Sequence, residues 1–468
     1  MIRWALAALL AAPVAAGEPR FVERAAALGI DHRYTGEWEH YVGGGVAAFD
    51  CDGDDLPELY AAGGSSAAAL LRNRSTPGGE LVLAAETPPA LALTGATGAY
   101  PLDVDGDGAL DLAVLRVGEN VLLRGDGACG FAPFSDLGFE GGDRWTAAFS
   151  ATWEPGAALP TLAFGNYVDR DDPDGPFEAC DANELHRPED AAYGAPLLLE
   201  PGLCALSMLF TDWGRRGRRD LRVSNDRHYY VRGGGEQMWA MEALPRLMGE
   251  ADGWRELSIW GMGIAARDLD HDGLAEVYLT SMADQILQSL EPGASGPSYA
   301  AELFERGHTA HRPHTGDDGR PSTGWHAAFG DVDNDGRDDL FVAKGNVDQM
   351  ASNAMEDPNS LLMQGADGRF VEASVAAGVA SPARSRGAAL VDLNLDGRLD
   401  LAVVNRRAPM EIYQNATEGG AWLAVEPAQP GPNAAALGAW IEVEAGGVVR
   451  AQEVVVGGGH AGGVAGPL

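Results

Sequence analysis

Apolar positions in this chain come in short runs closed by glycine, proline or acidic turns, and the runs recur in a fixed order. The first kind is small and glycine-rich, as at 43–49 and 261–266, which suits a place where backbones approach closely. The second is β-branched or aromatic, as at 110–115, 276–280 and 399–404. A short third run follows at 120–124, 228–232, 359–363 and 410–414, and a fourth begins at a phenylalanine, as in Arg369-Phe-Val-Glu-Ala373. The pattern predicts a unit of four strands.

Between the first and second runs lies a polar loop, seen most fully in Asp331-Val-Asp333-Asn-Asp335-Gly336-Arg-Asp-Asp339. Loops start at 50, 103, 152, 212, 268, 331 and 392, so successive starts are 53, 49, 60, 56, 63 and 61 residues apart. A period of this size means a stacked or radial array. Seven four-stranded units around an axis form an all-β, seven-bladed β-propeller, expected over 17–418, with an insertion at 169–205 in the third blade and a small, incomplete β module at 419–468. Phe21-Val-Glu repeats Phe370-Val-Glu. The seventh unit lacks a fourth strand of its own, so residues 21–26 are expected to ladder with 410–415 and close the ring.

In Asp331–Asp339 carboxylates stand at positions 1, 3, 5 and 9 with glycine at position 6. Such crowding is self-repulsive unless a hard cation takes the oxygens as ligands, and Ca²⁺ accepts six to eight of them in irregular geometry. The expected ligand sets, about five Ca²⁺ sites, are Asp50, Asp52, Asp54 and Glu58; Asp103, Asp105, Asp107 and Asp111; Asp268, Asp270, Asp272 and Glu276; Asp331, Asp333, Asp335 and Asp339; and Asp392, Asn394, Asp396 and Asp400. The first set departs from the pattern with Asp55 where glycine is usual. Position 12 is aliphatic and a strand follows, unlike an EF-hand, which needs an acid there and then a helix. The units at 152 and 212 have lost the set, and Arg216, in place of the third carboxylate, is read as a tethered charge replacing the ion.

Composition adds an address and excludes some partners. Acidic residues outnumber basic ones 69 to 33 in 468 residues, a formal charge of −36, which has the wrong sign for nucleic acid or an anionic membrane. Residues 1–16 combine a charged start, an apolar run of about a dozen residues and a small-residue cleavage site, the pattern of a signal peptide. No other segment is long enough to span a membrane. An exported chain, periplasmic or extracellular, uses four cysteines as disulfides, and Cys51–Cys129 with Cys180–Cys204 is the preferred of three connectivities.

These loops, with Glu37-Trp-Glu-His-Tyr-Val-Gly-Gly-Gly-Val-Ala-Ala-Phe-Asp-Cys-Asp, resemble the FG-GAP/VCBS-type repeat proteins, to which integrin α-chain heads belong, and more closely the bacterial homologues of the cartilage acidic protein family. Asp220-Leu-Arg-Val-Ser-Asn-Asp-Arg-His-Tyr-Tyr230 belongs to the same resemblance. The tail from Trp422 through Glu453-Val-Val-Val-Gly-Gly-Gly-His460 is similar to that family's ASPIC/UnbV module but stops short of it. The resemblance implies a secreted calcium-binding adhesion or scaffold role and settles no chemistry.

The face opposite the loops gathers His40, Trp145, Tyr167, Asp226, Arg227, His228, Trp260, Trp325, His326, Lys344, Arg386 and Arg406, a candidate surface for a protein, glycan or small-molecule ligand. The competing reading is a periplasmic lyase or hydrolase using His40, His228 or His326 as base. It requires a histidine paired with an aspartate in an open pocket, whereas a closed aromatic plug counts against it.

Overall fold

The computed structural model describes residues 17–468 apart from 174, 227–232, 303, 310, 317 and 318. The signal peptide expected at 1–16 and the candidate ligand residues Arg227 and His228 lie outside the described residues. The chain is an all-β propeller. Its first sheet sets the plan: Val46–Phe49, Glu58–Ala61, Ala69–Asn73 and Leu83–Ala85 pair antiparallel in chain order. The plan returns in the sheets that begin at Ala205–Thr211, Gly261–Arg267 and Gly324–Gly330. Between them, Ala96–Leu102 and its three successors share an eight-stranded sheet with the unit led by Asp143–Thr152. The two units join because Asp111–Glu119 runs long enough for Val117 to Glu119 to pair with Trp145 to Asp143.

The leading strands touch one another in cyclic order, Val46–Phe49, Ala96–Leu102, Asp143–Thr152, Ala205–Thr211, Gly261–Arg267, Gly324–Gly330, Ser385–Val391 and back to the first. Apolar clusters fill the seams between neighbouring sheets, such as Tyr278 and Leu287 against Leu340, Val342 and Phe370. Burial of these faces is the main favourable term holding one sheet to the next.

Closure comes from the other end of the chain. Ser385–Val391, Asp400–Asn405 and Glu411–Asn415 take Phe21–Glu23 as their fourth strand, with Phe21 opposite Asn415 and Glu23 opposite Tyr413. The strand is shorter than the expected 21–26 because the Glu23 carboxylate accepts the Ala25 N–H at 2.6 Å and turns the chain into the helix Ala25–Leu28. The same sequence does the same elsewhere: after Phe370–Glu372, Glu372 accepts the Ser374 N–H at 2.9 Å and Ser374–Ala377 is helical.

Several features differ from the sequence expectation. The third strand of the unit led by Ala205–Thr211 is Gln237–Ala240, while the run expected at 228–232 lies outside the described residues. Residues 169–205 are less an excursion than expected, since Asn183–His186 and Leu197–Leu199 are the third and fourth strands of their unit. Asn183, Glu184 and His186 are buried polar residues, so this strand carries no apolar run to betray it. At the other end, the segment 419–468 contributes one hairpin, Trp440–Ala445 with Val448–Glu453, and then enters the axis. There the Ala151 N–H donates to Val456 O at 3.1 Å, Gly458 N–H to Met208 O at 2.6 Å, Gly459 N–H to Ile264 O at 2.6 Å and Ala48 N–H to Gly463 O at 3.1 Å. The His460 side chain is fully buried, accepts the Gly43 N–H at Nε2 and lies 5.1 Å from the Trp325 ring.

The glycines of the leading strands make room for this plug. A Cβ on Gly45 would stand 1.7 Å from Ala461 O and one on Gly98 1.8 Å from the same atom. Gly98→Ala is therefore expected to cost about 1–3 kcal/mol in urea denaturation. Gly466→Ala, whose Cβ would meet nothing within 4 Å, should leave the midpoint unchanged.

Both disulfides pair as preferred, Cys51 with Cys129 and Cys180 with Cys204, each with Cα atoms 4.8 Å apart. Cys51–Cys129 ties the first Asp loop to the second unit across 78 residues. Restricting a loop of that length is worth about 4.5 kcal/mol in the unfolded chain, so the double variant Cys51→Ala/Cys129→Ala should unfold at clearly lower urea, with the Cys180–Cys204 bridge still formed on a non-reducing gel.

Candidate functional site

Each Asp loop divides its carboxylates between two tasks. Position 1 holds the turn: Asp331 accepts N–H groups from Asp335 and Gly336 at 2.9 and 2.7 Å, and Asp392 those of Asp396 and Gly397 at 3.1 and 2.7 Å. Position 9 ties the loop to the third strand of its sheet. Asp111 accepts Val104 N–H at 2.7 Å and Gly125 N–H at 2.9 Å, while Asp339 accepts Val332 and Gln364 and Asp400 accepts Leu393 and Asn415 in the same way. Glu58 reaches Cys51 and Asn73 with its longer side chain.

Position 3 behaves differently. Asp52 Oδ1, Asp105 Oδ1, Asp333 Oδ1 and Asn394 Oδ1 are buried and have no hydrogen-bond partner. Asn394 donates its amide to Gly79 O and to Asp396 Oδ2, which leaves its carbonyl oxygen without a donor. In the loop at 268 the corresponding atom is Asp268 Oδ1, since Asp270 is exposed. Oxygens from positions 1, 3 and 9 lie within 4.8 Å of one another in four loops: Asp50, Asp52 and Glu58; Asp103, Asp105 and Asp111; Asp268, Asp270 and Glu276; Asp331, Asp333 and Asp339. The position-5 carboxylates stand outside these groups. Asp54, Asp107, Asp272, Asp335 and Asp396 each accept the N–H two residues on.

A buried carboxylate oxygen without a donor costs on the order of 1–3 kcal/mol or more, and a divalent cation is the group that repays it at a convergence of oxygens. The residues present therefore fit a hard cation. Burial first, and neighbouring negative charge after it, pushes Asp111 and Asp331 up to about 7 and Glu276 and Asp339 up to about 8, and holds Asp400 well above the carboxylate range.

The loop at 212 separates turn from ligand. Asp212 accepts Arg216 N–H at 2.7 Å and Gly217 N–H at 2.6 Å, and Asp220 accepts Met241 N–H at 3.1 Å, so the scaffold survives where positions 3 and 5 carry no acid. The expectation that Arg216 replaces the ion is corrected here. Its guanidinium lies 4.4 Å over the Trp213 ring and donates to Ser295 O and Ala294 O of the neighbouring unit, while the Asp212 carboxylate is spent on the loop's own N–H groups. Sequence reasoning missed Glu453, whose carboxylate accepts the Thr211 hydroxyl at 2.7 Å and the Asp212 N–H at 2.8 Å and so fastens the C-terminal hairpin to this loop.

On the opposite face, the described candidates pack together instead of lining an open mouth. Trp145 is wedged between Trp38 and Tyr167 at 4.9 and 4.8 Å, Tyr167 donates to Asp226 at 2.7 Å, and Arg386 lies 4.0 Å over Trp325. Lys344 pairs with Asp357 at 3.3 Å, both fully buried, while Arg406 donates to His40 O and Gly36 O. Trp260 is half-buried. His326 accepts the His460 N–H at Nδ1, and burial lowers it to about 4; His40 is also lowered, by burial first. Neither histidine hydrogen-bonds a carboxylate among the described residues.

The raised carboxyls fix the sign of a pH dependence. Their folded values exceed the usual unfolded range near 4, so in chelator their contribution to stability is full below about pH 4 and is lost as pH rises through 7 and 8. The melting temperature in EDTA should fall between pH 5 and pH 8.5, which differential scanning calorimetry would show. At Asp55 the backbone is left-handed at φ 69°, where the other loops have glycine. Asp55→Gly should raise stability by up to about 1 kcal/mol in the same buffer, read by urea denaturation.

Residues 50–114, which hold the first two loops, match a family model described as an FG-GAP-like repeat. No curated protein matches the chain. Among solved structures, it is similar to BBS1N in complex with ARL6DN at 10% identity and a TM-score of 0.47, over 83% of this chain and 94% of that one. It is also similar to an Agrocybe aegerita lectin whose structure concerns recognition of non-reducing terminal N-acetylglucosamine, at 16% identity and a TM-score of 0.43, over 77% and 88%. Saccharomyces cerevisiae Sqt1 aligns at 10% identity and a TM-score of 0.39, over 80% and 99%.

Proposed function

We propose that this protein is an exported, seven-bladed calcium-binding propeller that serves as a binding or scaffold module, with ions in the loops 50–58, 103–111, 268–276, 331–339 and 392–400. The observation that carries the calcium reading is the buried, partnerless oxygen at position 3, repeated at Asp52, Asp105, Asp333 and Asn394. Where positions 3 and 5 carry no acid, at 212, the turn still folds, so the acids retained elsewhere answer a demand other than folding the loop. Two disulfides fit an oxidising compartment, and none of the described helices is long and apolar enough to cross a membrane. The resemblance to cartilage acidic proteins and the ASPIC/UnbV likeness of the tail belong to the same reading, with a protein, glycan or small molecule as ligand.

Each ion at a hundredfold excess over its dissociation constant adds about 2.7 kcal/mol, so five would dominate a stability of about 5–15 kcal/mol. EDTA should lower the melting temperature by tens of degrees and calcium should restore it. Asp333→Asn tests one loop in both directions. It should weaken calcium uptake at that loop in equilibrium dialysis, yet raise the melting temperature in EDTA by removing one buried negative charge. Unchanged melting in EDTA together with no calcium uptake would sink the proposal.

A further inference from the structure

The rim of this face carries a cluster of positive charge. Ser385–Val391 and Asp400–Asn405 bring Arg384, Arg386, Arg406 and Arg407 to one end of the last sheet. Arg386 is fully buried and spends its guanidinium on the carbonyl oxygens of Tyr41, Ser385, Asn346 and Val347. The other three converge on one side chain, Asp348. Arg406 reaches its Oδ1 from NH2 at 3.2 Å and from Nε at 3.4 Å, Arg407 from NH1 at 3.3 Å and Arg384 from NH1 at 3.6 Å.

This is a poor set of ion pairs. A carboxylate oxygen has two lone pairs, and a guanidinium paired well with a carboxylate sits at about 2.7–2.9 Å. Four nitrogens share Oδ1 here, and all are longer than that. Glu37, 90% exposed, adds one further negative charge at 3.2 Å from Arg407, so three guanidiniums face two carboxylates. The Arg407 backbone is left-handed at φ 57°, a conformation that costs a residue with a Cβ some strain. Arg384 and Arg407 retain 26% and 35% of their side-chain surface, whereas Arg406 has none, so the cluster has a buried base and an accessible edge.

We propose that Arg384, Arg406 and Arg407 form an oxyanion site, which takes a carboxylate, sulfate or phosphate group of the ligand and which Asp348 occupies in its absence. The proposal rests on the reading of this protein as a binding module and names the chemistry of what it binds. The incoming group offers two or more oxygens where Asp348 presents one, so it satisfies the guanidiniums at shorter range while Asp348 swings away. An anion matches the local excess of positive charge, which stands out against the −36 charge of the chain.

The test is calorimetric titration of the calcium-loaded full chain with sodium sulfate, inorganic phosphate, glucuronate and neutral glucose. Binding of at least one oxyanion and none of glucose is expected, and the anion that binds tells an acidic sugar from an inorganic group. Asp348→Asn should tighten binding about tenfold by removing the internal competitor, and Arg384→Gln/Arg407→Gln should weaken it by a similar factor. Melting curves of each variant in calcium establish that it is folded. No oxyanion binding by either the natural chain or Asp348→Asn, or binding indifferent to Arg384→Gln/Arg407→Gln, would overturn the site. Calcium-dependent melting would stand apart from either result, so a failed oxyanion site leaves the propeller reading separately testable.

Discussion

Backbone crowding at the axis governs the architecture. The leading strands meet there with the C-terminal segment among them, and a side chain at Gly45 or Gly98 would occupy the place of Ala461 O. Only near-bare backbone fits so close an approach. Small residues on the inside force the larger apolar side chains outward into the seams, where they bind each sheet to the next. The plug, in turn, gives the leading strands main-chain partners that the radial arrangement denies them, so buried N–H and C=O groups at the centre are satisfied.

The same economy shapes the loops. Positions 1 and 9 act on backbone N–H groups, one closing the turn and the other holding it to the third strand, and these are the positions kept at 212. At position 3 one oxygen, Oδ1, holds nothing in the chain, although Asp52 and Asp105 also take Arg72 and Arg124 on Oδ2. A repeat can therefore lose its cation chemistry without losing its fold, and the hairpin residue Glu453 shows how such a loop is reused as an anchor for another segment.

Much of this was legible in the sequence because the signals are local and repeated. The spacing of the Asp loops, the glycine-rich and β-branched runs, and the shared Phe-Val-Glu of residues 21 and 370 name the strands and the way the ring closes. What stayed hidden depends on contacts between distant residues. The strand Asn183–His186 is polar and buried, with Glu184 satisfied by Arg144 at 3.4 Å, so no hydrophobic period marks it. The run Val454-Val-Val-Gly-Gly-Gly-His460 reads as one more strand, and nothing in its own composition tells that it belongs in the axis. Aromatic and charged residues at 38–41, 145, 325, 386 and 406 looked like a ligand surface because the types that bind ligands also make a satisfied buried network. The arginine cluster at Asp348 draws on one arginine from that face, Arg406, and its partner lies 58 residues from it in sequence.

The joining of Phe21 to Asn415 has a kinetic consequence. A ring that closes through residues almost 400 positions apart cannot gain its last interface until nearly the whole chain is present, and loop entropy must be met before that pairing rewards it. High contact order of this kind slows folding, and the first sheets to form would wait with one seam uncovered. Inside such a waiting period the disulfide between the first two units restricts the earliest part of the chain while the rest arrives. The topology thus favours a sequential assembly, unit upon unit, in which the final step is cooperative and the native ring opens slowly.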